Sequence, residues 1–97
     1  MPCAYVVVDT ELFDPETYEQ YKLRAKPVVE QYGGQYLARG GAMQVLENQL
    51  WSPHRLVLLR FDDAAQAQRF YESPEYQAVL PISQQSARRT LVILEGL

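Results

Sequence analysis

Residues 3–10, Cys3-Ala4-Tyr5-Val6-Val7-Val8-Asp9-Thr10, are dominated by β-branched and aromatic side chains and predict a strand. The period changes at Phe13-Asp14-Pro15-Glu16. Asp14 suits an N-cap, Pro15 the first helical position, and Glu16 the positive end of a helix. Tyr18, Tyr21, Ala25, Val28 and Tyr32 then recur at helical spacing and make one apolar face, with Lys22, Lys26 and Glu30 elsewhere on the wheel. Pro27 removes a backbone donor and crowds the carbonyl of Leu23, which predicts a kink. Gly33-Gly34 ends the helix, with Gly33 as the left-handed residue after the cap.

Residues 35–39 form a second strand, broken or bulged by Gly40-Gly41, and Gln44 to Glu47 is expected to continue along the sheet edge. A polar loop from Asn48 to Pro53 carries the only Trp. The third strand is Arg55 to Phe61. Asp63-Ala64-Ala65-Gln66 fits a capping box, ahead of a helical face of Ala64, Ala67, Phe70 and Tyr71. Ser73-Pro74-Glu75-Tyr76 restarts a helix that Pro81 weakens, and Thr90 to Leu94 is the last strand. The order β-α-β-β-α-β predicts one α+β domain over residues 1–97. This is the ferredoxin-like arrangement, an antiparallel sheet with its helices on one face. The right-handed crossover preference places the first and third strands at the centre.

A sheet with helices on one face and water on the other should alternate apolar and polar positions. Val6-Val7-Val8, Leu56-Val57-Leu58-Leu59 and Leu91-Val92-Ile93-Leu94 are apolar at both parities. Both faces therefore want cover, and the helices supply only one. A second copy of the chain, packed sheet to sheet about a two-fold axis, is the expected partner; the alternative is the 42–54 segment folding over the same face.

Nine Lys and Arg against twelve Asp and Glu give a net charge of −3 over 97 residues. That argues against nucleic acid or an anionic membrane, both of which select concentrated positive charge. The single Cys3 excludes an internal disulfide and a thiolate zinc site. No apolar run approaches the ~20 residues of a membrane span, and the first residues lack the basic start of a signal peptide. A cytoplasmic protein is expected, with no cofactor and no metal implied.

Several segments carry a resemblance. They are Ala4-Tyr5-Val6-Val7-Val8, Asp14-Pro15-Glu16-Thr17-Tyr18, Tyr32 through Gly41, Trp51-Ser52-Pro53-His54-Arg55-Leu56-Val57 and Phe70 through Gln77. Together these span nearly the whole chain and resemble the bacterial family called domain of unknown function 1330, within the dimeric α/β-barrel superfamily. The resemblance implies a ferredoxin-like protomer whose sheet packs on a second sheet, and it implies no reaction. Wider relatives include cofactor-free monooxygenases, an isomerase, haem-handling enzymes and amino-acid sensors, a range too broad for the fold to choose a function.

Candidate site residues each have two readings. Arg39, before Gly40-Gly41, can hold a carboxylate or enolate oxygen in a fork of hydrogen bonds, or close the sheet edge as an ion pair. Asp9 can serve as a general base if buried, or sit exposed at a strand end. Ser73 and Tyr76 stand at a helix start: the first as cap or ligand contact, the second as core ring or hydrogen-bond donor. His54, the only histidine, lies in a polar loop that offers no nucleophile, no metal partners and no rigid support for haem. Seven tyrosines are the compositional oddity. A subset, with Tyr5 and Tyr76 as candidates, lines a pocket for a small aromatic or enolic acid, or simply fills the core edge. Three functions stay open: a cofactor-free enzyme acting on such an acid, a binding module without turnover, and a structural dimer whose cavity its own rings fill.

Overall fold

The computed structural model describes residues 2–97, so Met1 of the leader argument lies outside the described residues. The elements are β1 (Ala4–Leu12), α1 (Pro15–Gln31), β2 (Gln35–Arg39), β3 (Leu56–Phe61), α2 (Ala64–Glu72), α3 (Pro74–Ser86) and β4 (Ala87–Glu95). The strands form one antiparallel sheet in the order β2-β3-β1-β4. The first and third strands are central, as the crossover preference requires. This is the ferredoxin-like α+β plan, with its second helical region divided at Ser73.

Local chemistry explains the boundaries. Asp14 caps α1 by accepting from the Thr17 backbone N–H at 3.2 Å and from its hydroxyl at 2.6 Å. The face bearing Tyr18, Tyr21, Ala25 and Val28 is buried, Val29 joins it, and Tyr32 is half-buried. The helix runs through Pro27, which is exposed, and stops at Gly33, whose φ of +81° favours glycine. A Cβ on Gly34 would lie 2.7 Å from Phe61 and from Val29, so a glycine lets the chain enter β2 against the core. Asp63 caps α2 through the Gln66 N–H at 2.7 Å. Ser73 ends α2 and starts α3, donating to the Phe70 carbonyl at 2.7 Å and accepting from the Tyr76 N–H at 3.1 Å.

Two stretches differ from the sequence reading. Residues 44–47 form no strand; the chain from Gly40 to Arg55 is irregular and largely exposed, with Leu46 at 87% and Leu50 at 89%. The two glycines end the ladder instead of bulging it, and the irregularity in β2 falls earlier, between Tyr36 and Ala38. β4 begins at Ala87 rather than Thr90, because β1 continues to Leu12 and pairs it with Ala87.

The sheet has two unlike faces. Val6, Val8, Val57 and Leu59 point toward the helices and are buried. Tyr5, Val7, Leu58, Val92 and Leu94 occupy the other face, where the first three are half-buried and the last two exposed. The 40–55 segment meets that face at Asp9 and leaves Val92 and Leu94 open to solvent. No helix among the described residues is long and apolar enough to cross a membrane.

Candidate functional site

The helix-facing side of the sheet encloses a cavity of about 40 Å³ between β1, β3, β4 and the helices. Apolar side chains of β1 and β3 make its walls, with Tyr18 and Tyr21 from α1, Tyr36 from β2 and Tyr76 from α3. Four cations also line it: Lys22, Arg39, Arg55 and Arg89. Among the described residues, no carboxylate and no imidazole does. In a chain of net charge −3, that concentration of positive charge is local.

At the inner end Tyr21 and Tyr76 share a hydrogen bond, hydroxyl to hydroxyl, at 2.8 Å. Arg89 donates to both, through one terminal nitrogen to Tyr21 at 3.0 Å and the other to Tyr76 at 2.9 Å. Its guanidinium also lies 4.9 Å from the centre of the Tyr21 ring. No carboxylate stands within 4.0 Å of Arg89 among the described residues. Burial pushes the Tyr21 hydroxyl well above the ordinary phenol range, and neighbouring Tyr76 adds to the rise while Arg89 opposes it. Two phenol protons serve one mutual bond, so the second has no partner within the trio and is free to donate to a ligand. The chemistry on offer is a fixed positive charge and a neutral O–H donor beside apolar walls, suited to an anionic oxygen.

Of the residues singled out from sequence, Arg39 and Tyr76 line this cavity. Arg39 is exposed at its mouth, stacks 5.0 Å from the Tyr36 ring centre, and has no carboxylate within 4.0 Å among the described residues. Three other candidates are placed elsewhere. Tyr5 is on the opposite face of the sheet, because Ala4, Val6 and Val8 take the inward parity. Ser73 is buried at the α2–α3 junction with both its donor and acceptor used in capping. Asp9 shares the outward parity of Tyr5 and does not reach the cavity. Its carboxylate accepts from the Trp51 indole N–H at 2.9 Å, the His54 N–H at 2.9 Å and the Arg55 N–H at 3.0 Å, fastening the long β2–β3 connection to β1. His54 places Nε2 3.3 Å from Glu11, which also pairs with Arg88 at 2.7 Å.

Desolvation alone would raise the Asp9 carboxyl, but those three donors outweigh it and hold it below its ordinary value. A depressed folded-state value contributes stability above the unfolded pKa of ~3.9, lost as pH falls through the folded one. Asp9→Asn puts a donor where Trp51 needs an acceptor and should destabilise by on the order of 1 kcal/mol at pH 7. Chemical denaturation across pH checks this. The gap between the two proteins should hold from pH 7 down to ~4 and narrow below it; a gap independent of pH is incompatible with a charged Asp9 acceptor.

Sequence reasoning missed Arg89 and Arg55 and treated Tyr21 as packing only. The available signal was parity: Ala87, Arg89, Leu91 and Ile93 form the inward series of β4. Starting that strand at Thr90 hid it.

No curated protein matches the chain. Among solved structures it is similar to a protein of unknown function from Rhodopseudomonas palustris, with a TM-score of 0.79 and 17% identity over 99% of this chain and 83% of that one. It is also similar to SnoaB, a cofactor-independent oxygenase from Streptomyces nogalater, with a TM-score of 0.70 and 9% identity over 97% and 92%. A dimeric protein of unknown function with a ferredoxin-like fold from Bacteroides fragilis gives a TM-score of 0.64 and 16% identity over 96% and 95%. Identities this low speak to the fold alone. The model of the family described as Domain of unknown function (DUF1330) matches residues 3–97, and the chain belongs to that family.

Proposed function

We propose that the protein binds a small carboxylic or enolic acid in the cavity between sheet and helices, and that it does so as a homodimer joined through its open sheet faces. One observation carries the first part: Arg89 is half-buried and held by two neutral phenols, with no carboxylate within 4.0 Å among the described residues. Partial desolvation of a charge that lacks a counter-ion is unfavourable, and a bound anion offsets it. The free phenol proton adds a directed hydrogen bond to the same oxygen. An aromatic ring does not fit the cavity as it stands, since about 40 Å³ holds roughly three water-sized groups. The acid group therefore goes in and the rest of the ligand stays toward the mouth.

The same pair of donors would stabilise the negative oxygen of an enolate, which supports a cofactor-free enzyme as the second reading. No base lines the cavity, so a substrate ionised before binding suits it better than one the protein must deprotonate. The dimer is supported by the apolar open face and by the dimeric relative from Bacteroides fragilis.

A thermal-shift series with acetate, pyruvate, acetoacetate and benzoate tests the site. An acid at ~100 times its Kd stabilises by about 2.7 kcal/mol and should raise the wild-type Tm by roughly 10 °C or more. Arg89→Met should show no shift. Equal shifts in both proteins would remove Arg89 from the site, and no shift with any acid would leave a cavity filled by its own tyrosines. Chemical change of a bound acid, followed by NMR, separates turnover from binding.

A further inference from the structure

We infer that the mouth of the cavity is a second anion subsite, built by Arg39, Arg55 and Lys22, and that the natural ligand is therefore a small dianion with acidic groups at both ends. This rests on the reading of Arg89 as the anchor for the inner acid. Three features support it, the first two independently of Arg89.

The first is an imbalance of charge. The carboxylate nearest these three cations, Glu19, lies in the adjoining groove and is already bonded to Lys22 at 2.8 Å. Neither Arg39 nor Arg55 has a carboxylate within 4.0 Å among the described residues. Outside the mouth a shallow groove continues with Lys26 and Glu30, one charge of each sign, which leaves the excess unchanged.

The second is how the two guanidinium groups are held. Arg39 stacks 5.0 Å from the Tyr36 ring centre and Arg55 5.8 Å from that of Tyr18, both rings being walls of the cavity. Gly40 has a φ of +67°, and a Cβ there would sit 2.5 to 2.8 Å from three atoms of the Arg55 guanidinium group. Its own N–H donates to the Leu56 carbonyl at 2.9 Å. The glycine thus lets Arg55 lie against the backbone beside Arg39. Two cations are thus held at one mouth on aromatic faces with no carboxylate within 4.0 Å, and their planar forks suit a carboxylate or phosphate.

The third is size. The interior holds one acid group and little more, so the body of any ligand extends to the mouth, where its far end meets these side chains. A monoacid leaves them unused; a second carboxylate or phosphate engages them.

Titration calorimetry at low salt, with matched probes, tests the subsite. The probes are propanoate and butanoate against the C3 to C6 dicarboxylates and 3-phosphonopropanoate. The proteins are wild type, Arg39→Met/Arg55→Met and Arg89→Met, each checked for native circular dichroism. At least one dianion should bind wild type roughly tenfold or more tightly than its matched monoacid. The double variant should lose that preference while still binding the monoacid, whereas Arg89→Met should bind neither. Arg39→Lys/Arg55→Lys, which keeps charge without the forks and perturbs the fold least, should retain only part of the preference. Whether dicarboxylates or the phosphonate gain more identifies the outer group. Equal binding of mono- and dianions by wild type, or a preference that survives in the double variant, overturns the subsite while the inner anchor stands. No binding of any probe to wild type overturns both.

Discussion

Tyr76→Ala should lower stability by about 3–5 kcal/mol, among the largest losses available to a single side chain here. The ring is 1% exposed and its centre lies 4.7 Å from that of Phe70, 5.4 Å from Tyr71 and 6.3 Å from Tyr21. Those neighbours come from α1 and α2 while the ring itself belongs to α3, so they cannot all collapse into the space a missing ring leaves. A domain of this size has ~5–15 kcal/mol in total, which puts the variant close to unfolding. Tyr76→Phe keeps the ring, removes one bond each to Arg89 and Tyr21, and should cost about 1–2 kcal/mol. Urea denaturation of the two variants separates packing from hydrogen bonding. A loss below ~1 kcal/mol for the alanine variant would mean that the ring does not hold the three helices together.

Val92→Glu should convert the proposed dimer to a monomer. Val92 sits on the open face of β4 at 47% exposure, so a charge there is tolerated by an isolated protomer. Once a second sheet covers that face, the carboxylate is buried without a partner, at several kcal/mol for each copy of the residue. On a two-fold axis both copies carry it, and the dimerisation constant should weaken by at least about a thousandfold. Val7, directly opposite Val92 on β1, is half-buried already, so charging it would confound association with folding. Light scattering at micromolar concentration should give about twice 11.2 kDa for wild type and 11.2 kDa for the variant. A stable monomeric wild type would show that water is enough cover for this face.

The sheet, its central pair and both helical regions were legible because their signals are local. Asp14, Asp63 and Ser73 cap where their hydroxyl or carboxylate chemistry predicts, and Gly33 takes the positive φ that a helix terminus asks for. The long β2–β3 connection was harder. Gln44-Val45-Leu46-Glu47 has a strand's composition, but β3 begins at Leu56, opposite Gly40, so the ladder has no partner to run on along. The site was half legible. Arg39 beside two glycines is a visible cue, and the helical phase of Tyr76 implies an inward ring. Arg89 is different: it follows an exposed Arg88 and looks like one half of a basic pair. Only the register of β4 against β1, with Arg88 opposite Glu11 and Arg89 opposite the buried Thr10, separates the outward side chain from the inward one. The role of Asp9 in fastening the connection is hidden for the converse reason, since its partners lie 42 to 46 residues away and no local spacing announces them.

The bond from the Trp51 indole to Asp9 gives the molecule two separate optical signals. Trp51 is the only tryptophan, and it lies in the tether between β2 and β3, whereas the core absorbs through Tyr18, Tyr21 and Tyr76. Indole emission therefore follows attachment of the connection to β1, and tyrosine near-ultraviolet dichroism follows packing of the helices on the sheet. Coincident unfolding curves from the two would establish that the 40–55 segment melts with the core as one cooperative unit. Emission that changes earlier would mark the segment as a separately opening unit of lower stability, carrying Arg55 at its end.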